Sequence, residues 1–433
     1  MKLFEKTMQG FNPYFVNESR DLSFSDVSGQ SNALTKSRLD KGLLGLGSTK
    51  TKNIIEFNET DLSRYFSPSP LRFSDISIGG HPDFEDINHN ETTMHNAVSF
   101  FMDIKGSTGL IGIVRDLEEL RLLKDNILTL AIRVCNYFGG HVQRLQGDGI
   151  FVLFVRRGKE PYDALIGALN ASAILTYFIK NEFGPAIQEI GIEKPIRIRT
   201  GIDFGPDEKV LWSRYGIPGC DELTTTSVHT DMAAKLQQRA PSFGVMIGDN
   251  VRGLLDLDSS LLSIRTYQEN GITQKDESFT ISKNYKYKFW VFDWEKYLLK
   301  YACCERSGTS IIFVKPEKRL KCIRQDTGYE YIENSYALPK GVKLRFEVLN
   351  RHGEKLVNFP PQKIEWKILN TGKEASRDEK LEIPIPLYNS SMEIEVDTAY
   401  LGQHKIQCKI GTWPNSSTLE FHVFVRSNYL LPS

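Results

Sequence analysis

Two aspartates stand where carboxylates can do chemistry. Asp103 ends the apolar run Ala97–Ile104 (AVSFFMDI), and Lys105-Gly106-Ser107-Thr108 follows as a loop closing on helix N-cap residues. Asp148 sits between Gly147 and Gly149, in what reads as a tight hairpin. If the two strands are central neighbours, both carboxylates reach one end of a sheet, beside a helix N-terminus. Two carboxylates there can hold hard divalent cations, and a helix start can cradle a triphosphate. The plainer assignment makes Asp103 a helix cap and Asp148 a turn residue. The joint placement is the more economical account of both.

The elements that must position these residues follow from periodicity. Ala97–Ile104 reads as a buried strand. A long helix follows, with Val114, Leu117, Leu120, Ile127, Leu128, Ala131 and Val134 on one face. Gly139-Gly140 ends it. Strands His141–Gln146 and Ile150–Val155 flank the Asp148 turn. Pro161 opens a second helix that ends near Gly184. Ile196–Ile202 alternates like a strand, Thr230–Arg239 is a short amphipathic helix, and Gly244–Ile247 and Tyr287–Trp294 are further strands. The expected fold class is therefore α/β (α+β): an antiparallel sheet with helices packed on it.

Three segments are expected. Residues 1–95 are polar and form an irregular leader with some docked pieces. Residues 96–303 carry the chemistry. After a linker at 304–312, residues 304–433 form a small all-β sandwich with strands Val342–Leu349, Lys363–Leu369, Met392–Val396, His404–Ile410 and Leu419–Val425, and with Trp366 and Cys408 in its core.

The 433 residues are 40% hydrophobic and 25% charged, and 54 basic residues balance 54 acidic ones. This is an ordinary globular composition. Zero net charge argues against a nucleic-acid binder working through bulk positive charge. No stretch approaches a membrane span and no secretory signal is visible, so a cytoplasmic protein is expected. The six cysteines have no zinc or disulfide-scaffold spacing and read as reduced thiols. His81, His89 and His95 lack ligand spacing and read as solvated. The Gly45–Lys50 run (GLGSTK) lacks the Gly-Lys-Thr/Ser ending of a phosphate loop.

Phe101–Thr108 (FMDIKGST), Arg144–Phe154 (RLQGDGIFVLF), Arg199–Gly205 (RTGIDFG) and Thr230–Gln237 (TDMAAKLQ) together resemble the class III nucleotidyl cyclases in order and spacing. The resemblance covers about residues 96–295 and implies a ferredoxin-like core. It implies two Mg²⁺ or Mn²⁺ ions per active site, held by Asp103, Asp148 and the Ile104 carbonyl. They serve attack of the ribose 3′-oxygen on the α-phosphorus, with diphosphate leaving. It also places Asp231 and Lys235 where the family has a ribose-orienting Asn and a transition-state Arg. Four residues put both on one helix face, and the alternative is a surface ion pair between them.

The base-selecting position falls on Arg144, with a second base contact near Thr224 and a triphosphate-binding lysine at Lys283 or Lys286. Arg144 is a donor only, which suits the carbonyls of uracil. Cytosine offers O2 and N3, but its amine would be repelled, and guanine offers O6 and N7. The block Cys220–Gln237 and the stretches LRFEVLN, IEWKILNTGKEA and YLGQHKIQC are similar to the pyrimidine cyclases of bacterial Pycsar antiphage defence and to the adenylyl/guanylyl/SMODS C-terminal sensor domain. This likeness implies a homodimer with composite sites that converts UTP to 3′,5′-cyclic UMP, the product acting on a separate effector. CTP is the runner-up substrate, a purine nucleotide cyclase comes third, and a degenerate, non-catalytic nucleotide-binding module is the competing class.

Overall fold

The computed structural model describes residues 2–9, 55–112, 114, 117–189, 192, 194–283, 285–358, 362–385, 391–411 and 414–429. The Gly45–Lys50 run lies outside them. The catalytic half is built on strands β1 (Ala97–Ile104), β2 (Gly140–Gln146), β3 (Gly149–Phe154), β4 (Ile198–Gly205), β5 (Leu211–Ile217), β6 (Cys220–Thr226), β7 (Gly244–Gly248), β8 (Ser278–Ser282) and β9 (Tyr285–Phe292). Its main sheet runs β8-β9-β7-β4-β1-β3-β2. Every pair on this path is antiparallel except β4 and β7. Those two run parallel because helix α3 (Val228–Arg239) lies in the crossover between them. Strands β5 and β6 form a separate hairpin, extended by Thr92–Met94.

Strand β1 is central, and every residue of it except Asp103 is buried. A strand covered on both faces reads as a continuous apolar run. Helix α1 (Leu117–Tyr137) buries the stripe Leu120, Leu123, Ile127, Ala131 and Val134. Helix α2 (Tyr162–Phe178) is apolar around its whole circumference and buried throughout. It does not stop near Gly184. A π-helical turn at Ile179–Phe183 carries it into Gly184–Glu189. The full run of 28 residues reaches the length and apolarity of a membrane-crossing helix, but it is buried and forms a core helix under the sheet.

The leader contributes to this core. Leu3 and Phe4 are fully buried, and the Glu182 carboxylate accepts from both of their backbone amides. Phe84 stacks on Trp212 with centroids 3.9 Å apart. His81 and His95 are buried rather than solvated. They pack in an aromatic cluster with Phe73, Phe84 and Trp212, because the leader's aromatic residues close over the β5–β6 hairpin.

Residues 304–313 form a two-stranded hairpin instead of a free connection, and Ile311 and Phe313 enter the main core. Beyond it are β10 (Lys318–Arg324), β11 (Lys343–Asn350), β12 (Ile364–Leu369), β13 (Glu393–Asp397), β14 (Gly402–Ile410) and β15 (Ser417–Arg426). With the short strands Glu330–Tyr331, Ala337–Pro339 and Glu382–Ile385 they make up a four-stranded and a five-stranded sheet. Leu320, Phe346, Trp366 and Cys408 fill the space between them. All six cysteines are free thiols.

Candidate active site

Asp103 is the penultimate residue of β1, and Gly149 is its register partner on β3. Asp148 therefore stands one residue from the position opposite Asp103. The hairpin can be this close because residue 149 is glycine: a β-carbon there would lie 2.6 Å from the Met102 carbonyl oxygen. Gly147 turns the chain at φ +66°. Asp103 Oδ2 accepts from Arg199 Nε at 3.2 Å and Nη2 at 2.9 Å, and from Gln237 Nε2 at 3.2 Å. Arg199 is its register partner on β4. Asp148 Oδ2 is buried and has no hydrogen-bond partner among the described residues.

A buried carboxylate oxygen without a donor is costly, and a bound cation relieves that cost. The hard oxygen donors of Asp103, Asp148 and the Ile104 carbonyl fit Mg²⁺ or Mn²⁺. Such ions take one or two protein carboxylates and complete their shells with water and substrate phosphates. Among the described residues no cluster of three or more acidic, His or Cys ligands exists, so no closed structural metal site competes.

On the other side of the hairpin lie Arg144 and Thr224, the two residues expected to contact a base. Strand β2 bulges between Val142 and Arg144, so that Gln143 and Arg144 together oppose Phe151. Bulges re-aim side chains next to active sites. Here Gln143 Nε2 donates to the Leu223 carbonyl of β6, and Arg144 Nη2 pairs with Glu222 Oε1 at 2.6 Å. Glu222 and Thr224 share a face of β6 by the two-residue period. Arg144 and Thr224, paired on the sequence alone as base contacts, are thus brought to one neighbourhood.

Helix α3 starts at Ser227, whose hydroxyl accepts from the His229 amide. Beneath it, His229 Nδ1 lies 3.0 Å from Asp203 Oδ2, and Tyr287 OH donates to Asp203 Oδ1 at 2.5 Å. Burial pushes the Asp203 carboxyl and the Tyr287 phenol above their usual ranges. Met232, Ala233, Leu236 and Gln237 face inward, while Asp231 and Lys235 are exposed. Neither forms an ion pair among the described residues, so the surface-pair alternative does not apply. Gln237 meets Asp103 of its own chain, and Asp231 and Lys235 lie on the opposite, outward side of the helix. One chain therefore presents Asp103 and the Asp231–Lys235 pair on different surfaces.

Lys283 is in the turn after β8 and Lys286 is on β9, both exposed. Strands β9, β7 and β4 separate β8 from β1, so Lys283 does not meet Asp103 of its own chain. The hairpin instead packs through Phe279 and Phe289 on Met232 and Leu236 of α3. Sequence reasoning gave no role to Arg199, Gln237 or Glu222. The alternation IRIRT and the position of Glu222 two residues before Thr224 were the available signals.

The model of the adenylyl/guanylyl and SMODS C-terminal sensor domain matches residues 280–415. A cytidylate cyclase of Staphylococcus aureus is 36% identical over 341 residues, which cover 77% of this chain and 78% of the relative. A cytidylate cyclase of Escherichia coli is 33% identical over 321 residues, 71% of this chain and 67% of the relative. Among solved structures, the adenylyl cyclase CyaB of P. aeruginosa is similar at 19% identity and a TM-score of 0.40, over 47% of this chain and 95% of that one. With a third or more of its residues shared across most of these relatives' length, and with both carboxylates of the candidate site in place, this chain belongs to the pyrimidine nucleotide cyclase family.

Proposed function

We propose that the protein converts CTP to 3′,5′-cyclic CMP and diphosphate, at two composite sites of a homodimer, and that the cyclic product acts on a separate effector. The observation that carries the cyclase reading is the unpartnered, buried Asp148 Oδ2 beside the end of β1, a place prepared for a cation. CTP is placed ahead of UTP because the relatives are named cytidylate cyclases. UTP, favoured by the donor-only character of Arg144 alone, is the second reading.

Two divalent ions, when bound, supply Lewis acidity at the ribose 3′-hydroxyl and neutralise the triphosphate. The chain's own residues do the rest. Asp103 and Asp148 would hold the ions, and Arg199 and Gln237 fix the Asp103 rotamer. Asp231 accepts from the ribose, and the Lys235 ammonium faces the charge that develops at the α-phosphoryl group. Arg144 and Thr224 address the base, and Lys283 the triphosphate tail. The 3′-oxygen bonds to the α-phosphorus as its proton goes to solvent, and the bond to the β-phosphate breaks. Most of the acceleration is positioning and charge stabilisation.

Exposed apolar side chains support the dimer. Ile111 and Leu117 follow the end of β1 in the chain, and Leu145, Tyr215, Ile217 and Val228 lie on or next to β2, β5, β6 and α3, all exposed. The test is incubation of the purified protein with CTP, UTP, GTP and ATP and Mn²⁺, followed by chromatography. Cyclic CMP as the main product is expected. Faster turnover of GTP or ATP than of both pyrimidines contradicts the proposal.

A further inference from the structure

We propose that Glu222 reads the exocyclic amine of cytosine and is the residue that separates CTP from UTP. The inference rests on the pyrimidine cyclase reading above and adds to it the specificity element that Arg144 cannot supply alone.

Arg144 offers only N–H donors, so by itself it favours a base edge made of carbonyls. The structure does not leave it by itself. The β2 bulge and the Gln143 anchor bring its guanidinium to 2.6 Å from Glu222 Oε1. Arg144 Nε is buried and unpartnered, and every contact recorded for Glu222 among the described residues goes to Oε1. The pair thus sets guanidinium N–H donors beside a partly exposed carboxylate whose Oε2 has no recorded contact among the described residues.

Structural stabilisation does not account for the pair. The two side chains keep 39% and 41% of their surface exposed, and ion pairs so exposed contribute little to folding. Thr224, on the same face of β6, closes the site at 6% exposure.

A donor beside an acceptor complements cytosine. Its O2 and N3 accept, and its N4 amine donates, a match in which a carboxylate takes the amine. Uracil has a carbonyl where cytosine has the amine, and its single N3–H is flanked by O2 and O4. A carboxylate at the end of that edge meets oxygen and repels it. Arginine therefore orients the pyrimidine, and the carboxylate chooses between the two pyrimidines.

The experiment compares kcat/KM for CTP and UTP in the full-length protein, in Glu222→Gln and in Glu222→Ala, with melting temperature as the check on folding. The amide can donate to O4, so Glu222→Gln is expected to lower the CTP/UTP ratio by roughly 10- to 100-fold, with UTP activity kept or raised. Glu222→Ala should lose CTP activity without gaining UTP activity. Wild-type protein should also discriminate against a CTP analogue lacking the amine, and Glu222→Ala should not. Equal losses for both nucleotides would make Glu222 only a positioner of Arg144 and overturn the inference. A selective loss of UTP would mean that the carboxylate reads N3–H, which overturns it as well. Wild-type protein that cyclises neither pyrimidine would instead defeat the underlying reading, a different outcome from an unchanged ratio.

Discussion

Gly201→Ala should disable the enzyme through one methyl group buried beneath α3. Gly201 lies on β4 directly beneath α3, and a β-carbon there would be 2.2 Å from the Ala233 carbonyl oxygen and 2.2 Å from the Gln237 amide nitrogen. Both are backbone atoms of the helix, so no side chain can swing aside. Ordinary contact begins near 3.4 Å, and in a close-packed interior the helix must retreat by about 1 Å. Overpacking of this kind costs about 1–3 kcal/mol.

The same retreat moves Asp231, Lys235 and Gln237 together, and a misplacement of about 1 Å costs roughly 100-fold in rate. The assay is diphosphate release under saturating nucleotide, with a melting curve for each variant. Gly253→Ala is the control: it also lies on a helix, has no atom within 4 Å of the added carbon, and should be neutral or stabilising by a few tenths of a kcal/mol. A folded Gly201→Ala protein with wild-type turnover would refute the claim that α3 holds its residues against β4 at catalytic precision.

Asp148→Ala should abolish cyclisation, by roughly 100-fold or more, and leave the melting temperature of the metal-free protein unchanged or raised, because Asp148 Oδ2 has no partner to lose and its burial is costly. Asp103→Ala should be equally inactive but less stable, since Arg199 and Gln237 lose their acceptor; activity assays and thermal melts on both variants check this. A third expectation concerns pH. Glu333, buried where the C-terminal sheets meet residue 302, accepts from the Ala302 and His422 amides, and burial pushes its carboxyl up to about 8. A raised carboxyl stabilises the fold below the unfolded-state value and loses that contribution as pH rises toward 8. His422 is pushed by burial to about 3, so its contribution is lost as pH falls from 6.5 toward 3. Melting temperature should therefore fall between pH 6.5 and 8, and Glu333→Gln should remove that fall.

The placement of Asp103 at a strand end beside the Asp148 turn was legible because strand β1 is uniformly apolar up to Asp103 and because Gly-Asp-Gly marks a turn by itself. The long helices and most catalytic strands were legible for the same reason, a clean period. The β5–β6 hairpin was not, because its exposed half (Tyr215–Asp221) carries polar and glycine residues without a buried face. Residues 304–312 read as a linker since CERSGTSII has only a short apolar run, yet Ile311 and the adjoining Phe313 find the core by tertiary packing. Arg199 and Glu222 escaped notice because their roles come from strand register and from a bulge, which a single sequence does not display. Buried His81 and His95 were misjudged for a related reason: the aromatic cluster that covers them is assembled from distant segments.

The central claim is a composite site, with the carboxylates of one chain served by α3 of another. Asp148→Ala and Lys235→Ala should each be severely impaired as homodimers. Mixed under conditions of demonstrated subunit exchange, they form heterodimers in which one site carries both lesions and the other carries neither. The account predicts recovery to about half of wild-type activity per heterodimer if the two sites act independently. No recovery despite complete exchange would contradict it.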